Sequence, residues 1–155
     1  MSSTVCDPVD AIMAVMEAAF DPVFGEAWTR RQVSDVLIFP NTHYLLADVT
    51  GAAPDDPSEA VGFLLSRHGA DEEELLLLAV TPAARRRGVA ASLITRFATD
   101  AASRGVTRLF LQMRESNGAE ELYRKHGFLP VGRRRQYYRG PEGSRIDAIT
   151  FVRSV

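Results

Sequence analysis

Cysteine, histidine and long apolar runs are all scarce in this chain. Cys6 is the single cysteine among the 155 residues, so no disulfide can form within the chain. The three histidines, His43, His68 and His126, are scattered, and the sequence contains no Cys/His cluster at metal-ligand spacing. We therefore expect no bound metal, and we interpret each histidine as a surface or partly buried side chain.

No apolar stretch approaches the roughly 20 residues that a membrane-spanning helix needs. The N-terminal segment carries Asp7 and Asp10 where a secretion signal would carry basic residues. The sequence therefore predicts a cytoplasmic protein with no membrane partner. With 155 residues and 46% hydrophobic content, it also predicts a single domain spanning 1–155.

Charge is divided unevenly along the chain, although the net charge is only −2. Residues 1–78 hold 14 acidic and 3 basic side chains, and residues 79–155 hold 6 acidic and 15 basic ones. The second half therefore favours an anionic partner, although an ordinary balanced surface is the alternative. Nucleic-acid binding through Arg85–Arg87 and Arg133–Arg135 is disfavoured, because the net charge is negative and no known reader motif is present.

The most informative stretch is Glu74–Ile94. Its first part, Leu75–Val80, is entirely apolar and is closed by Thr81 and Pro82, which predicts a central strand covered on both faces. A helical pattern follows from just after Gly88 to Gly105. The apolar positions that carry this pattern are Val89, Leu93, Phe97 and Ala101.

A helix that starts directly after a strand exposes unpaired main-chain NH groups and the positive end of its dipole, which together hold phosphate. Gly88 lets the backbone come close, Ala90 keeps the first turn unobstructed, and Arg85–Arg87 add positive charge. The pattern therefore predicts a pyrophosphate loop. It differs from the nucleotide P-loop because no Gly-Lys-Ser/Thr follows. The alternative is a tight turn with a solvated arginine run.

The rest of the chain predicts a mixed α/β sheet with about six to seven strands and helices on both faces. Two further helices are predicted before the first strand, one from Asp7-Pro8 to about Phe20 and one from Trp28, capped by Thr29, to Pro40. The second of these buries Val33, Val36 and Leu37. The other predicted elements are strands over 43–49, 60–67, 106–114, 129–138 and 145–152, an acidic turn over 68–73 and a helix over 119–126.

Several motifs, in this order, resemble the GNAT superfamily of acyl-CoA N-acyltransferases. They are the loop at 85–90, the strand Arg108–Arg114, Asn117, and the run Glu121-Leu-Tyr123 followed by Gly127-Phe128. The tail Arg133–Tyr138 with Ile146–Ala148 resembles, more narrowly, the bacterial enzymes that acetylate the N-terminal alanine of a small-subunit ribosomal protein. This resemblance covers about residues 60–155 well. It implies transfer of an acetyl group from acetyl-CoA to an amine, with the pantetheine arm lying where the central strand and the strand at 107–114 splay apart.

The resemblance also implies which residues bind the cofactor. They are Leu78, Ala79, Val80, Arg85, Arg86, Arg87, Gly88, Val89, Ala90, Asn117 and Tyr123. Asn117 precedes Tyr123 by six residues, one fewer than in the ribosomal-type enzymes, which shortens this loop.

Acyl transfer to an amine needs a proton for the leaving thiolate and a base for the amine. The resemblance places Tyr123 near the thioester sulfur, and a phenol with a pKa of about 10 can supply that proton. The alternative is a tyrosine packed on the core. At Gln112 the ribosomal-type enzymes have a glutamate, and glutamine cannot accept a proton. Glu74, where many other GNAT enzymes place a base, is the candidate replacement, and an ordinary acidic turn is its alternative.

The acceptor is predicted to be a protein N-terminus. An α-amine titrates near 8 and a lysine near 10.4, so about a tenth of the α-amine is already neutral at pH 7 and a weak base suffices. Resemblance suggests Phe24, Trp28, Tyr137 and Tyr138 as acceptor-binding residues, with ordinary packing as the alternative. A small-molecule acceptor or a catalytically silent CoA-binding module also fits the sequence, and a monomer and a homodimer fit it equally.

Overall fold

A computed structural model describes residues 7–20, 27–115, 118–139 and 143–155, without the side chains of Tyr138 and Arg139. In these residues six strands form one mixed sheet with the order β1-β2-β3-β4-β6-β5. The pair β3 and β4 is parallel, and the other neighbours are antiparallel. The strands are β1 (Thr42–Ala47), β2 (Gly62–Gly69), β3 (Glu72–Val80), β4 (Arg108–Arg114), β5 (Leu129–Arg139) and β6 (Arg145–Ser154).

Four helices cover the two faces of this sheet: α1 (Pro8–Ala19), α2 (Arg30–Leu37), α3 (Val89–Ser103) and α4 (Glu120–Lys125). Neighbouring residues of β2 point to opposite faces, so Phe63 packs with α1 and α2, whereas Leu64 packs with α3. The predicted mixed sheet with helices on both faces is confirmed. None of the described helices has the length and hydropathy needed to cross a bilayer.

Side-chain caps fix where the first two helices begin. The Asp7 carboxylate accepts from the Val9 main-chain NH at 2.8 Å, with Pro8 in the first turn. Thr29 and Gln32 form a reciprocal capping box, so α2 begins at Arg30 rather than at Trp28 as predicted. Of its predicted apolar face, Val33 is fully buried and Val36 and Leu37 are half-buried.

The predicted acidic turn over 68–73 is wrong. β2 and β3 remain paired as far as Gly69 and Glu72, so the turn contains just Ala70 and Asp71, and Ala70 has a φ of +54°. The strands extend this far because Glu73 is buried and bonded to Arg104 at the end of α3. The sequence suggested solvent exposure for this carboxylate, because nothing local reveals a partner 31 residues away.

Other element boundaries differ from prediction by a few residues. β1 ends at Ala47 because Asp48 already opens a turn, in which its carbonyl accepts from the Gly51 NH at 2.9 Å. β2 accordingly starts at Gly62 rather than residue 60, and β4 starts at Arg108 rather than 106. The predicted polar loop over 50–58 includes a short 3-10 helix, Pro57–Glu59.

A β-bulge divides β3 into two parts. Leu65 pairs with Leu77, and Ser66 pairs with Leu75, which leaves Leu76 as an extra residue. Leu75 therefore packs on the α3 face, whereas Leu77 packs on the α1 face. The predicted burial of this strand on both faces is confirmed.

The parallel pair β3 and β4 separates halfway along its length. The two strands pair from Glu72 with Arg108 to Leu75 with Leu111, and no further pairing is found in the described part of either strand. β4 instead continues along β6 as far as Arg114. The predicted splay of the central strands is confirmed, and it opens a cleft between them.

Candidate active site

The cleft has a volume of about 1030 Å³. Its walls are β3 on one side and β4 with α4 on the other, and it reaches from the end of α1 to the start of α3. The structure brings most of the predicted site residues together here. Those that line the cleft are Trp28, Glu74, Leu78, Ala79, Val80, Arg85, Arg86, Ala90, Gln112, Tyr123 and Tyr137.

Three other predicted cofactor residues, Arg87, Gly88 and Val89, lie at the start of α3 beside the cleft without lining it. Arg87 and Gly88 are exposed, and Val89 is buried beneath the helix start. Phe24 and Asn117 lie outside the described residues, as does the side chain of Tyr138.

The start of α3 has the features of an anion-binding site. Gly88 is the N-cap residue with a φ of +79°, and no side chain of the described residues caps the helix. The first main-chain bond of the helix runs from the Ser92 NH to the Gly88 carbonyl, at 3.0 Å. The NH groups of residues 89–91 therefore have no acceptor within the helix. A Cβ built on Gly88 would meet nothing within 4 Å, so a ligand can approach these groups.

The three arginines of this loop have different roles. The Arg85 guanidinium donates to the Val80 carbonyl at 3.3 Å and to the Ala19 carbonyl at 3.1 Å, which ties the loop to the C-terminal end of α1. Arg86 and Arg87 are exposed, and Arg86 has a φ of +64°. Arg85 thus holds the shape of the loop, and the positive charge open to a phosphate comes from Arg86 and Arg87.

Tyr123 forms part of the wall opposite β3. Its side chain is 7% exposed and packs edge-on against Phe128, with ring centroids 5.9 Å apart. This contact fixes the ring within the same cluster of buried residues that holds α3 against the sheet. The Tyr123 side chain thus lines the cleft between the splayed strands from the α4 side.

Glu74 lies on the paired half of β3 and lines the cleft. Its carboxylate is 20% exposed, and its Oε1 lies 3.3 Å from Nη2 of Arg67, the cross-strand neighbour on β2. Sequence reasoning missed Arg67, although the strict alternation of two paired strands could have indicated it. The carboxylate is therefore held in place at the wall rather than lying in a solvated turn.

Gln112 faces the cleft from β4, and its side-chain carbonyl accepts from Arg134 Nη1 at 3.5 Å. The Arg134 guanidinium lies 5.1 Å from the centroid of the Tyr137 ring. Arg134 thus connects Gln112 to Tyr137, one of the predicted acceptor-binding aromatic residues. The sequence had suggested this arginine only as part of a basic run.

A charged brace shapes β5 next to Tyr137. The Asp147 carboxylate accepts from the Gln136 NH at 2.8 Å and from Arg133 Nη1 at 2.7 Å. Arg133 also pairs with Glu115 at 2.9 Å. The main-chain NH of Gln136, followed by Arg133, lowers the pKa of Asp147 below its usual value. This brace supports the irregular segment where β5 shifts register and Gln136 has a φ of +53°.

Residues 11–128 match the acetyltransferase (GNAT) family. The chain belongs to this family. The matched range starts within α1 and ends after α4, so it includes both walls of the cleft and the first third of the chain, where the sequence resemblance was loose. The resemblance to GNAT proteins seen in the sequence is confirmed.

Two similar GNAT relatives carry the name [ribosomal protein bS18]-alanine N-acetyltransferase. The one from Haemophilus ducreyi is 37% identical over 90 residues, which are 57% of this chain and 62% of the relative. The one from Haemophilus influenzae is 34% identical over 95 residues, which are 61% of this chain and 65% of the relative. The aligned part thus spans less than two thirds of the length of these curated relatives.

Solved GNAT structures share the fold over nearly the whole chain. The ribosomal-protein-S18-alanine N-acetyltransferase from Escherichia coli superposes with a TM-score of 0.79 at 24% identity, covering 95% of this chain and 87% of that one. NAA60 from Arabidopsis thaliana, solved in complex with acetyl-CoA, superposes with a TM-score of 0.74 at 20% identity, covering 96% and 95%.

Proposed function

We propose that this GNAT protein is an enzyme that transfers the acetyl group of acetyl-CoA to the N-terminal α-amine of a protein, with a ribosomal protein as the first candidate. The observation that carries the proposal is the uncapped start of α3 opening onto the gap between the splayed strands β3 and β4. An anion site of this kind suits the diphosphate of coenzyme A. The adjoining gap suits its long, thin pantetheine arm.

In this proposal acetyl-CoA is held mainly by the main chain. The NH groups of residues 89–91 and the exposed side chains of Arg86 and Arg87 bind the diphosphate. Main-chain groups of β3 from Leu76 to Val80 face a side where β4 has moved away, so they can pair with the amides of the arm. Arg85 positions this loop through its two carbonyl contacts.

The transfer itself is a direct attack of the amine on the thioester carbonyl. The nitrogen–carbon bond forms and the carbon–sulfur bond breaks. Tyr123 gives its phenolic proton to the departing thiolate, and Glu74 takes the proton lost by the amine, through water where the two are not in contact. Both side chains line the same cleft, one on each wall. The phenolate then recovers a proton from solvent before the next turnover.

A protein N-terminus is favoured over a lysine because the α-amine needs little help to become neutral near pH 7. The names of the two Haemophilus relatives also support this acceptor. Trp28 and Tyr137, which line the cleft, are placed to contact the first residues of the bound peptide.

One observation favours a catalytically silent module that binds coenzyme A. Gln112 replaces the glutamate expected from the resemblance and accepts a hydrogen bond from Arg134, so this side chain cannot act as a base. A silent module would share the cofactor site with the enzyme and differ at this position.

The experiment is mass spectrometry of peptides incubated with the enzyme and acetyl-CoA. The panel contains the N-terminal peptide of ribosomal protein bS18, the same peptide with a blocked N-terminus, and small amines. The proposal predicts that one acetyl group is added to the free peptide and none to the blocked one. Acetylation of small amines alone would overturn the protein acceptor, and no acetylation at all, with acetyl-CoA bound, would support the silent module.

A further inference from the structure

Two histidines that lie far apart in the sequence meet on the face of the sheet that α3 covers, near the C-terminal end of that helix. His43 lies on the edge strand β1 and His68 on β2, and the His43 Nε2 to His68 Nδ1 distance is 2.8 Å. The ring planes are nearly parallel, at 17°. Both side chains are partly buried, in agreement with the sequence interpretation, and strand register brings them into a contact that the sequence did not reveal.

A buried carboxylate completes the group. Glu73 is the cross-strand partner of His68, so both side chains point to the same face. Glu73 is fully buried, and one nitrogen or oxygen atom from each of the three side chains lies within 4.8 Å of the others. Its two oxygens accept from Arg104, at 2.6 to 3.1 Å, and from the Ser66 hydroxyl.

One member of the cluster, His43, lines a pocket of about 310 Å³, whose wall also includes Asp100 and Arg104. Arg104 balances the charge of Glu73, which leaves Asp100 as an additional negative charge on the pocket wall. A divalent cation would therefore meet two carboxylates and one guanidinium, a net negative surrounding.

We propose that His43, His68 and Glu73 form a binding site for a divalent transition-metal ion of the Zn²⁺ type, with the fourth position open to the pocket where Asp100 lies. Two imidazole nitrogens and one carboxylate oxygen are ligands that zinc prefers.

Binding requires the side chains to rearrange. Zinc–nitrogen bonds of about 2.1 Å at a near-tetrahedral angle place the two nitrogens about 3.4 Å apart, so the 2.8 Å contact must widen by about 0.6 Å and both rings must turn towards the metal. The imidazole that donates in this contact must shift its proton to its other ring nitrogen. One oxygen of Glu73 turns to the metal, and the other keeps Arg104.

The effect of the metal is expected on stability rather than on acetyl transfer. Among the described residues none lines both the cleft and this pocket: the cleft touches the start of α3, whereas the pocket lies beside Asp100 and Arg104 at the end of that helix. A metal held by β1, β2 and β3 would fasten the edge strand to the centre of the sheet. Metal binding can therefore be measured independently of acetyl transfer.

The test is a calorimetric titration of the chelator-treated full chain with Zn²⁺. We expect one saturable site with micromolar affinity, weakened at least tenfold by His43→Gln and by His68→Gln. His126→Gln removes a histidine outside the cluster and Cys6→Ser removes the thiol, so both variants are expected to bind as the parent does. Zn²⁺ is also expected to raise the melting temperature of the parent and not that of His43→Gln.

Titration of the parent with Co²⁺ keeps the proposal testable if a variant does not fold. Visible bands of a four-coordinate site with nitrogen and oxygen ligands, and no thiolate band, are the expected result. A thiolate band, affinity unchanged by both cluster variants, or the lack of a saturable site at millimolar Zn²⁺ would each overturn the proposal.

Discussion

In the proposed mechanism, Tyr123 is the residue on which the chemistry of the cleft depends most directly. Tyr123→Phe removes the hydroxyl and keeps the ring that packs against Phe128. Because the thiolate then has no proton donor on the wall, we expect turnover to fall by about 10²-fold, a typical effect of losing a general acid. Steady-state kinetics with a saturating acceptor measure this change.

The affinity for acetyl-CoA should stay within about twofold of the parent value in this variant, because the diphosphate site is untouched. Equal turnover in Tyr123→Phe and parent would remove Tyr123 from the mechanism and leave it as a core residue.

Glu74 is the second residue to which the proposed mechanism gives a chemical role. Glu74→Gln keeps the size of the side chain and removes the base, so turnover at pH 7 should fall by about tenfold or more. The deficit should shrink as the pH approaches 9, because an α-amine near pKa 8 then deprotonates unaided. The pH profile of kcat/KM measures both effects.

Glu72→Gln is the matched control for this variant. Glu72 points to the same face of β3 two residues earlier and pairs with Arg108 at 3.7 Å, outside the cleft lining. The Glu72→Gln variant should leave the pH profile of kcat/KM unchanged. A deficit in Glu74→Gln that does not vary with pH would count against a role as base.

At the scale of elements, the position of α3 depends on the absence of a side chain at Gly62. A Cβ built there would lie 3.1 Å from Val89 Cγ1 and 3.2 Å from both Leu93 Cδ1 and the Ala79 carbonyl. Gly62→Ala should therefore push the start of α3 from the sheet and lower the free energy of unfolding by about 1–3 kcal/mol. Chemical denaturation measures this loss.

Gly69, on the same strand, provides the control, because a Cβ there would meet nothing within 4 Å. Gly69→Ala should be neutral or stabilise by a few tenths of a kcal/mol, about the effect of restricting the unfolded chain. Similar losses in both variants would show that the close packing at Gly62 is unimportant.

Element types could be predicted from local sequence, whereas several boundaries could not. The uninterrupted apolar run Leu75–Val80 correctly predicted the central strand, which begins three residues earlier, and the capping pattern at Thr29 correctly predicted the start of α2 to within two residues. The turn before β3 was misjudged because the burial of Glu73 depends on Arg104, a distant partner. The sequence shows which residues are charged, whereas the fold determines which of them form pairs.

Site residues, too, could be predicted where the signal is local in the sequence but not where a contact joins separate strands. The loop at Gly88 could be predicted because the signal is local, and the structure places it beside the splay. Arg67 and Arg134 were missed as partners of Glu74 and Gln112, since each contact spans separate strands. The proximity of His43 and His68 was missed for the same reason.

For the molecule as a whole, His126 makes stability depend on pH. Burial, followed by the charge of Arg153, lowers the pKa of His126 below its usual 6.5. Below pH 6.5 the unfolded chain therefore binds more protons than the folded one, so acidification destabilises the protein, and this contribution is fully restored above pH 6.5. His126→Gln should lose less stability than the parent between pH 7.5 and 5.5.

Thermal melting at the two pH values measures this difference. An identical fall in melting temperature in the parent and in His126→Gln would show that other groups carry the acid sensitivity.

The central claim is that the uncapped start of α3 holds acetyl-CoA. Gly88→Glu places a negative side chain there, and Gly105→Glu places the same side chain beyond the other end of the helix. The two glycines share a left-handed backbone, with φ of +79° and +85°, and open surroundings, so the strain is matched. Calorimetric titration with acetyl-CoA compares the variants with the parent. The account predicts at least a 100-fold loss of affinity for folded Gly88→Glu and less than a threefold change for Gly105→Glu, whereas parent-like affinity in Gly88→Glu would contradict it.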